Sequence, residues 1–177
     1  MFAHSILLRI SAALALTFLL TGCIVSKGLL FDRELAVTPF PPGDFEEQIY
    51  SNGQWMPSSD GSLTLENRVY EWDGQTFMVF DAGDGFFVAA RHHKPEGEED
   101  KEKEKFEYSL LEIEKGTVFS YESECKHLRR ARTWTDIPKV DDDGNCVFSN
   151  QGSLVIELRS LARRNLPAKR YVRKKFG

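Results

Sequence analysis

Turn residues at short, regular intervals constrain this 177-residue chain more than any other feature of its sequence. The dipeptide Asp73-Gly74 separates two aromatic, apolar runs and is a strong hairpin signal. Further turns are predicted at Ser51-Asn52-Gly53, Pro57-Ser58-Ser59-Asp60-Gly61 and Ala82-Gly83-Asp84-Gly85. The segments between these turns predict roughly six or seven short strands, which indicates an antiparallel sheet that closes or nearly closes.

Hydrophobic patterns place the core of this sheet and one helix. Residues 77–80 and 86–90 are apolar on both faces, so they are expected at the centre of the sheet. Residues 106–110 alternate, but the phase slips at Leu111, which indicates a bulge or a strand with two buried faces. A helical stripe follows later in the chain: Leu154, Val155, Leu158, Leu161 and Ala162. We therefore expect a small mainly-β domain, an antiparallel barrel or a strongly curved meander, with one C-terminal helix that Ser149 or Ser153 caps.

The first 22 residues have the pattern of a processing segment rather than of a folded element. Arg9 is their only charged residue, and the mostly apolar run 10–20 is shorter than the roughly 20 residues that a membrane-spanning helix needs. The run ends in Leu20-Thr21-Gly22-Cys23. This motif resembles the lipobox of bacterial lipoproteins, whose signal peptide is removed in front of the cysteine. An uncleaved anchor helix and an ordinary secretory signal are the alternatives.

The resemblance implies a lipid anchor at Cys23, with a diacylglyceryl group on the sulfur and an acylated amine, palmitate being a typical chain. Several acyl chains hold a soluble domain on a bilayer stably, whereas one chain binds marginally. The protein would then face the periplasm from a membrane of the cell envelope. Ile24 stands where an aspartate would favour the inner membrane, so the resemblance favours the outer membrane.

Three segments follow from this interpretation. Residues 1–22 are the predicted signal peptide, and residues 23–44 are predicted to be the lipidated N-terminus with a proline-rich tether. Pro39, Pro41 and Pro42 in that tether exclude a regular helix or central strand. Residues 45–177 are the predicted single domain, in which residues 94–105 form an exposed charged loop.

The two remaining cysteines, Cys125 and Cys146, predict a disulfide in an oxidising compartment. In the chain-entropy model a loop of this length contributes about 3 kcal/mol to stability. The alternative is a metal site that joins Cys125 to His127, His92 and His93. Cys-x-His is not a usual zinc spacing, so we expect the disulfide and no metal.

The C-terminal segment is strongly basic, because the chain has no acidic residue after Glu157. Its residues define a candidate patch for an anionic partner: Arg163, Arg164, Lys169, Arg170, Arg173, Lys174 and Lys175. In the envelope such a partner would be a lipid headgroup, lipopolysaccharide or a cell-wall polymer, and we expect no nucleic acid. The favoured alternative is that this segment, with residues 169–176 as an edge strand, folds back on the acidic body of the domain.

Specific catalytic motifs are missing from the sequence, so we expect no enzyme and no cofactor. His92 and His93 are candidates for a general base at a barrel mouth, but two solvent-facing histidines are the favoured alternative. Asp141-Asp142-Asp143-Gly144-Asn145 resembles a calcium loop without the distal glutamate, so a turn is favoured. Trp55, Trp72 and Trp134 form either a ligand platform or part of the core.

Three functions fit these observations. The first is a lipid-anchored, non-catalytic binding or accessory module for an envelope protein or a cell-wall polymer. The second is an inhibitor of a lysozyme-type hydrolase, because small anchored barrels with a disulfide resemble periplasmic lysozyme inhibitors in plan. The third is a lipocalin-like carrier of a small apolar ligand, which needs an unfilled interior lined by residues such as Phe77, Val79 and Phe86.

Overall fold

The computed structural model describes residues 23–93, 104–121, 124–125, 138–165 and 167–174. The strands in this part of the chain are β1 (Ile24–Lys27), β2 (Gly43–Ser51), β3 (Gln54–Glu66), β4 (Val69–Trp72), β5 (Gln75–Gly83), β6 (Phe86–His93), β7 (Lys105–Glu114), β8 (Thr117–Tyr121), β9 (Lys139–Val140), β10 (Cys146–Val147) and β11 (Lys169–Arg173). The α-helix α1 spans Gln151–Ala162, and a short 3-10 helix spans Arg33–Leu35. In these described ranges, no helix is both long and apolar enough to cross a membrane.

Eight strands form a closed antiparallel barrel. Their order around the barrel is β6-β5-β4-β3-β2-β11-β8-β7, and the pairing of β7 with β6 closes the ring. The structure therefore confirms the mainly-β barrel and the single C-terminal helix that the sequence predicts. The predicted edge strand at the C-terminus is wrong in one respect, because β11 pairs with β2 on one side and β8 on the other. Ring closure requires a partner on both edges of that strand.

The predicted turns are confirmed except for one. Asn52 and Asp73 adopt positive φ next to a glycine, as two-residue hairpin turns require. Residues 57–61 were predicted to be a turn, but they lie inside β3 and pair with β2. The pairing shifts register between Glu47 and Gln48, so that Ser58 of β3 has no partner opposite it in β2. β4 pairs only with the last four residues of β3, and strands accept proline at such partly unpaired edges.

The segment predicted as a tether is packed into the domain. β1 pairs antiparallel with residues 105–107 of β7 and parallel with β10, which in turn pairs with β9. Ile24 is fully buried, and the ring of Phe31 stacks on Phe80 at 4.5 Å. Phe40 stacks on Tyr70 at 4.5 Å, and its carbonyl accepts a hydrogen bond from the Tyr70 hydroxyl. The apolar residues among the prolines cause this docking, because they bury their side chains against the barrel.

Two hydrophobic cores lie on opposite sides of the barrel wall. The inner core takes residues from strands all around the ring: Phe45, Leu63, Tyr70, Val79, Ala89, Leu111 and Val118. The outer core lies between β5–β7 and the covering segments, and α1 supplies Leu154, Leu158 and Leu161 to it. β7 serves both cores, since Tyr108 and Leu110 belong to the outer core and Leu111 to the inner one. The phase slip in the sequence therefore marks a strand with two buried faces.

Asn150, rather than Ser149 or Ser153, caps the helix. Its side-chain Oδ1 accepts a hydrogen bond from the backbone N–H of Ser153 at 3.0 Å. Arg159 fastens α1 to the β5–β6 hairpin, because its guanidinium donates to the carbonyl of Ala82 at 3.1 Å and to the carboxylate of Asp84. The helix is thus fixed at both its capped end and its barrel-facing side.

Candidate functional site

A cavity of about 450 Å³ lies in the barrel. Its apolar wall comes from six different strands: Phe45, Leu63, Trp72, Phe77, Leu111 and Val118. The ring of Trp72 is held edge-on by Tyr171 at 5.5 Å and by Phe45 at 6.4 Å. The wall is therefore built on strands and aromatic contacts, which give it a fixed shape.

Small side chains create the space. Ala89, Ser109 and Ser120 line the cavity on the adjacent strands β6, β7 and β8. Ala89 is directly paired with Ser109, and Ser120 with Leu111, so the three residues share the inner face. An eight-stranded barrel is just wide enough to be filled by larger side chains. The cavity thus follows from three small residues at inward positions.

Polar groups gather at one end of the cavity, where β5 and β11 begin and β6 ends. Arg91 donates hydrogen bonds to the carboxylate of Glu107 and, at 2.5 Å, to Oε1 of Gln75. Lys169 lies 3.7 Å from Oε2 of Glu47, whose side chain is 13% exposed. Both cations are thus paired with carboxylates of the barrel itself. The cavity combines an apolar interior with an end that is polar but internally neutralised.

Cys23 lies in the wall of this cavity, at its polar end. Its backbone N–H donates to Oδ1 of Asn145 at 2.9 Å, and its carbonyl accepts from the N–H of Cys146 at 2.9 Å. Burial raises the pKa of the Cys23 thiol to about 11, with further contributions from the charge of Glu107 and a hydrogen bond to it. Arg91 opposes this shift only in part. The thiol is therefore protonated at neutral pH and is a poor nucleophile.

The predicted disulfide between Cys125 and Cys146 is confirmed, with a sequence separation of 21 residues. The same pairing removes Cys125 from the alternative metal site. Of its other candidates, His127 lies outside the described residues, and His92 and His93 lie at the end of β6. No group of three or more ligating side chains that suits a metal ion occurs in the described ranges. The pairing also fixes β10, the neighbour of β1, from which Cys23 extends.

The acidic segment 141–145 is a turn, and the side chain of its first residue, Asp141, accepts hydrogen bonds inside that turn. Asp141 accepts hydrogen bonds from the backbone N–H of Asn145 at 2.8 Å and from its side chain at 3.0 Å. Lys105 lies 3.2 Å from the same carboxylate. Burial opposes ionisation, but these hydrogen bonds hold the pKa of Asp141 below its ordinary value. The turn thereby orients Asn145 toward the N–H of Cys23.

The structure does not place His92 at the cavity. His92 is paired with Phe106, so the two residues share the outer face of the sheet, and their rings lie 5.1 Å apart. The position of the His93 side chain lies outside the described structure. Strand alternation thus directs the ring of His92 away from the cavity, and the structure gives no support to a general base at this position.

The basic residues of the candidate anionic patch do not share one surface. In β11 they alternate: Lys169 faces the cavity, whereas Arg170 lies over the ring of Trp55 at 4.7 Å on the outer face. Lys174 pairs with Asp60 at 2.6 Å, and Arg173 donates to the carbonyl of Pro42 at 3.4 Å. Arg163 and Arg164 are exposed at the end of α1, and Lys175 lies outside the described residues.

The tryptophans do not form a common platform either. Trp72 lines the cavity, whereas Trp55 packs on the outer face against Tyr50 at 5.1 Å and Phe119 at 6.1 Å. Trp134 lies outside the described residues. Of the residues expected to line a carrier cavity, Phe77 does so and Val79 is buried in the inner core. Phe86 faces the outer core instead.

No family model matches this chain, and neither a curated protein sequence nor a solved structure matches it significantly. Function is therefore inferred from the barrel, its cavity and the position of Cys23.

Sequence reasoning missed the paired charges at the cavity end. The signal was present as Arg91, which follows the apolar run 86–90, and Glu107, which stands between Phe106 and Tyr108.

Proposed function

We propose that this protein is a non-catalytic binding protein that holds a small apolar or amphipathic ligand inside its barrel. The observation that carries this proposal is the cavity, whose volume of about 450 Å³ falls within the usual range for small-molecule sites. Its apolar wall suits a hydrocarbon body, and the paired groups at one end suit a polar head. Among the functions that the sequence allowed, this geometry favours the carrier.

We further propose that the protein works as a lipoprotein of the bacterial envelope, anchored through Cys23 and facing the periplasm from the outer membrane. The motif Leu20-Thr21-Gly22-Cys23 supports this part of the proposal. Metabolic labelling with a fatty acid tests it directly. The label should appear on the wild-type protein and be lost from Cys23→Ser, which should also leave the membrane fraction. Retention of label by Cys23→Ser would refute the anchor.

Ligand binding is tested with a cavity-filling variant of the full chain. Ser109→Phe places a ring into the cavity opposite Ala89, where only small side chains lie. Thr64→Phe is the matched control, because Thr64 is exposed on β3. Titration with a fluorescent fatty-acid analogue, read from the emission of the analogue, should give saturable binding by the wild type. Affinity should fall at least about tenfold in Ser109→Phe and stay unchanged in Thr64→Phe.

Two results would overturn the carrier. One is non-saturable binding of the analogue by the wild type together with an empty barrel in native mass spectrometry. The other is equal binding by Ser109→Phe, once its folding has been verified by circular dichroism. If the phenyl ring of Ser109→Phe prevents folding, the smaller side chain of Ser109→Leu is used to fill the cavity instead.

A further inference from the structure

We propose that the ligand of the barrel is an acyl chain, which enters beside the sulfur of Cys23. This inference rests on the proposed function, because it assumes that the cavity binds a ligand. It goes further by naming the class of ligand and the place of entry. Four features of the described structure support it.

The first feature is a discontinuity in the barrel wall. β8 pairs with residues 110–114 of β7, and β1 pairs with residues 105–107 on the same edge. The change of partner falls at Tyr108 and Ser109, and both residues line the cavity. Cys23, Glu107 and Glu124 line the cavity beside these two residues, so the cavity extends to the discontinuity. This is the place at which the proposal puts the entry of a long, thin molecule.

The second feature is the position of Cys23 at this discontinuity. Cys23 forms a bridge with Glu124, beyond the end of β8. Both residues line the cavity together with Glu107. Any group attached to the sulfur of Cys23 thus begins at the cavity rather than on the far surface of the domain.

The third feature is the fixation of the Cys23 backbone. Asn145 accepts the hydrogen bond of its N–H, and Cys146 donates to its carbonyl. The disulfide between Cys125 and Cys146 stabilises this arrangement. An acylated amine keeps one N–H, which is the number of protons that the bond to Asn145 needs. Acylation of the Cys23 amine is therefore compatible with these backbone contacts, and a lipid on Cys23 would hold the cavity next to the membrane.

The fourth feature is the chemistry of the wall. The interior side chains are mostly aromatic and aliphatic, and Arg91 and Lys169 are already paired with Glu107 and Glu47. An uncharged hydrocarbon chain gains contacts there without having to neutralise a charge. The chain has two sources with the same chemistry. It is either one of the chains on Cys23 itself or a chain of a phospholipid beside the anchor.

A photoreactive fatty acid distinguishes these sources. Cells that express the full chain are fed a fatty acid with a diazirine near its methyl end, irradiated, and the purified protein is mapped by mass spectrometry. We expect adducts on inner residues such as Phe45, Leu63 and Val118. A cross-link to the Cys23 peptide identifies the protein's own anchor, whereas the mass of a phospholipid identifies a bilayer lipid. Either adduct supports the acyl-chain site.

Controls make the inference falsifiable apart from the proposed function. Adducts on the inner residues should fall at least about fivefold in Ser109→Phe and persist in Thr64→Phe. An apolar fluorescent probe without an acyl chain, such as 1-N-phenylnaphthylamine, separates the two hypotheses. If every adduct lies outside the barrel while this probe binds the wild type and loses affinity in Ser109→Phe, the acyl-chain inference is wrong and the carrier stands. If neither this probe nor the fatty-acid analogue binds, the proposed function itself fails.

Discussion

Among the glycines of the described structure, Gly61 leaves the least room for a side chain. A Cβ added there would lie 2.6 Å from Cζ2 of Trp72, closer than carbon atoms approach without movement. Gly61→Ala should therefore displace the indole and lower the free energy of unfolding by about 1–3 kcal/mol. Urea unfolding followed by tryptophan fluorescence measures both effects.

The neighbouring variant Ser62→Ala is the control for Gly61→Ala. Ser62 lies on the same strand and is exposed, so its loss should change stability by less than about 0.5 kcal/mol. Equal stability of Gly61→Ala and the wild type, with an unchanged emission maximum, would contradict the contact between Gly61 and Trp72.

Asn150 is the second position where one side chain has a defined energetic role. Because its Oδ1 accepts the N–H of Ser153, Asn150→Ala should destabilise the protein by about 1 kcal/mol. Ser149→Ala should have little effect, although the sequence alone favoured Ser149 or Ser153 as the cap. Thermal unfolding of both variants decides the assignment, and the reverse order of stability would refute it.

At the scale of elements, α1 carries a buried carboxyl group whose charge opposes docking. Burial raises the pKa of Glu157, and the nearby Arg164 only partly opposes this shift. A carboxyl group whose pKa is higher in the folded than in the unfolded protein stabilises the fold at pH values below its unfolded-state pKa. This stabilisation is lost as the pH rises through its folded-state pKa. Glu157→Gln should therefore be more stable than the wild type at pH 7.5, with a smaller difference at pH 4.

Denaturant unfolding at the two pH values tests this prediction for Glu157. Glu114→Gln is the control, because Glu114 is exposed at the end of β7. Its difference in unfolding free energy from the wild type should be similar at both pH values. A stability gain of Glu157→Gln that is larger at pH 4 than at pH 7.5 would have the wrong sign and would exclude an unfavourable buried charge.

The elements also show which parts of the fold the sequence determines locally. Hairpins such as the one at Asp73-Gly74 were predicted because turn chemistry acts on adjacent residues. The parallel pairing of β1 with β10 joins positions more than a hundred residues apart, and no local pattern encodes it. The same holds for the cavity. Ala89, Ser109 and Ser120 acquire their role only when register brings them to the same inner face.

At the scale of the whole molecule, the protein divides into a closed barrel and a small limb beside it. The limb consists of β1, β9 and β10, and the disulfide between Cys125 and Cys146 fixes it. The barrel closes without the limb, since β7 pairs with both β6 and β8. The limb holds Cys23 in place, so it couples the predicted anchor to the wall of the cavity.

Removing the disulfide should therefore affect the limb more than the barrel. The double variant Cys125→Ala/Cys146→Ala should lose about 3 kcal/mol of unfolding free energy, the chain-entropy value for a loop of this length. Below the global transition, amide hydrogen exchange should accelerate most in β1 and β10, while β5 and β6 keep the highest protection, because their hydrogen bonds lie within the closed ring. The variant Cys23→Ser, which keeps the disulfide, is the control. Uniform acceleration over β1, β5, β6 and β10 would mean that limb and barrel unfold as one unit, and the disulfide would then stabilise the cavity directly rather than the position of Cys23.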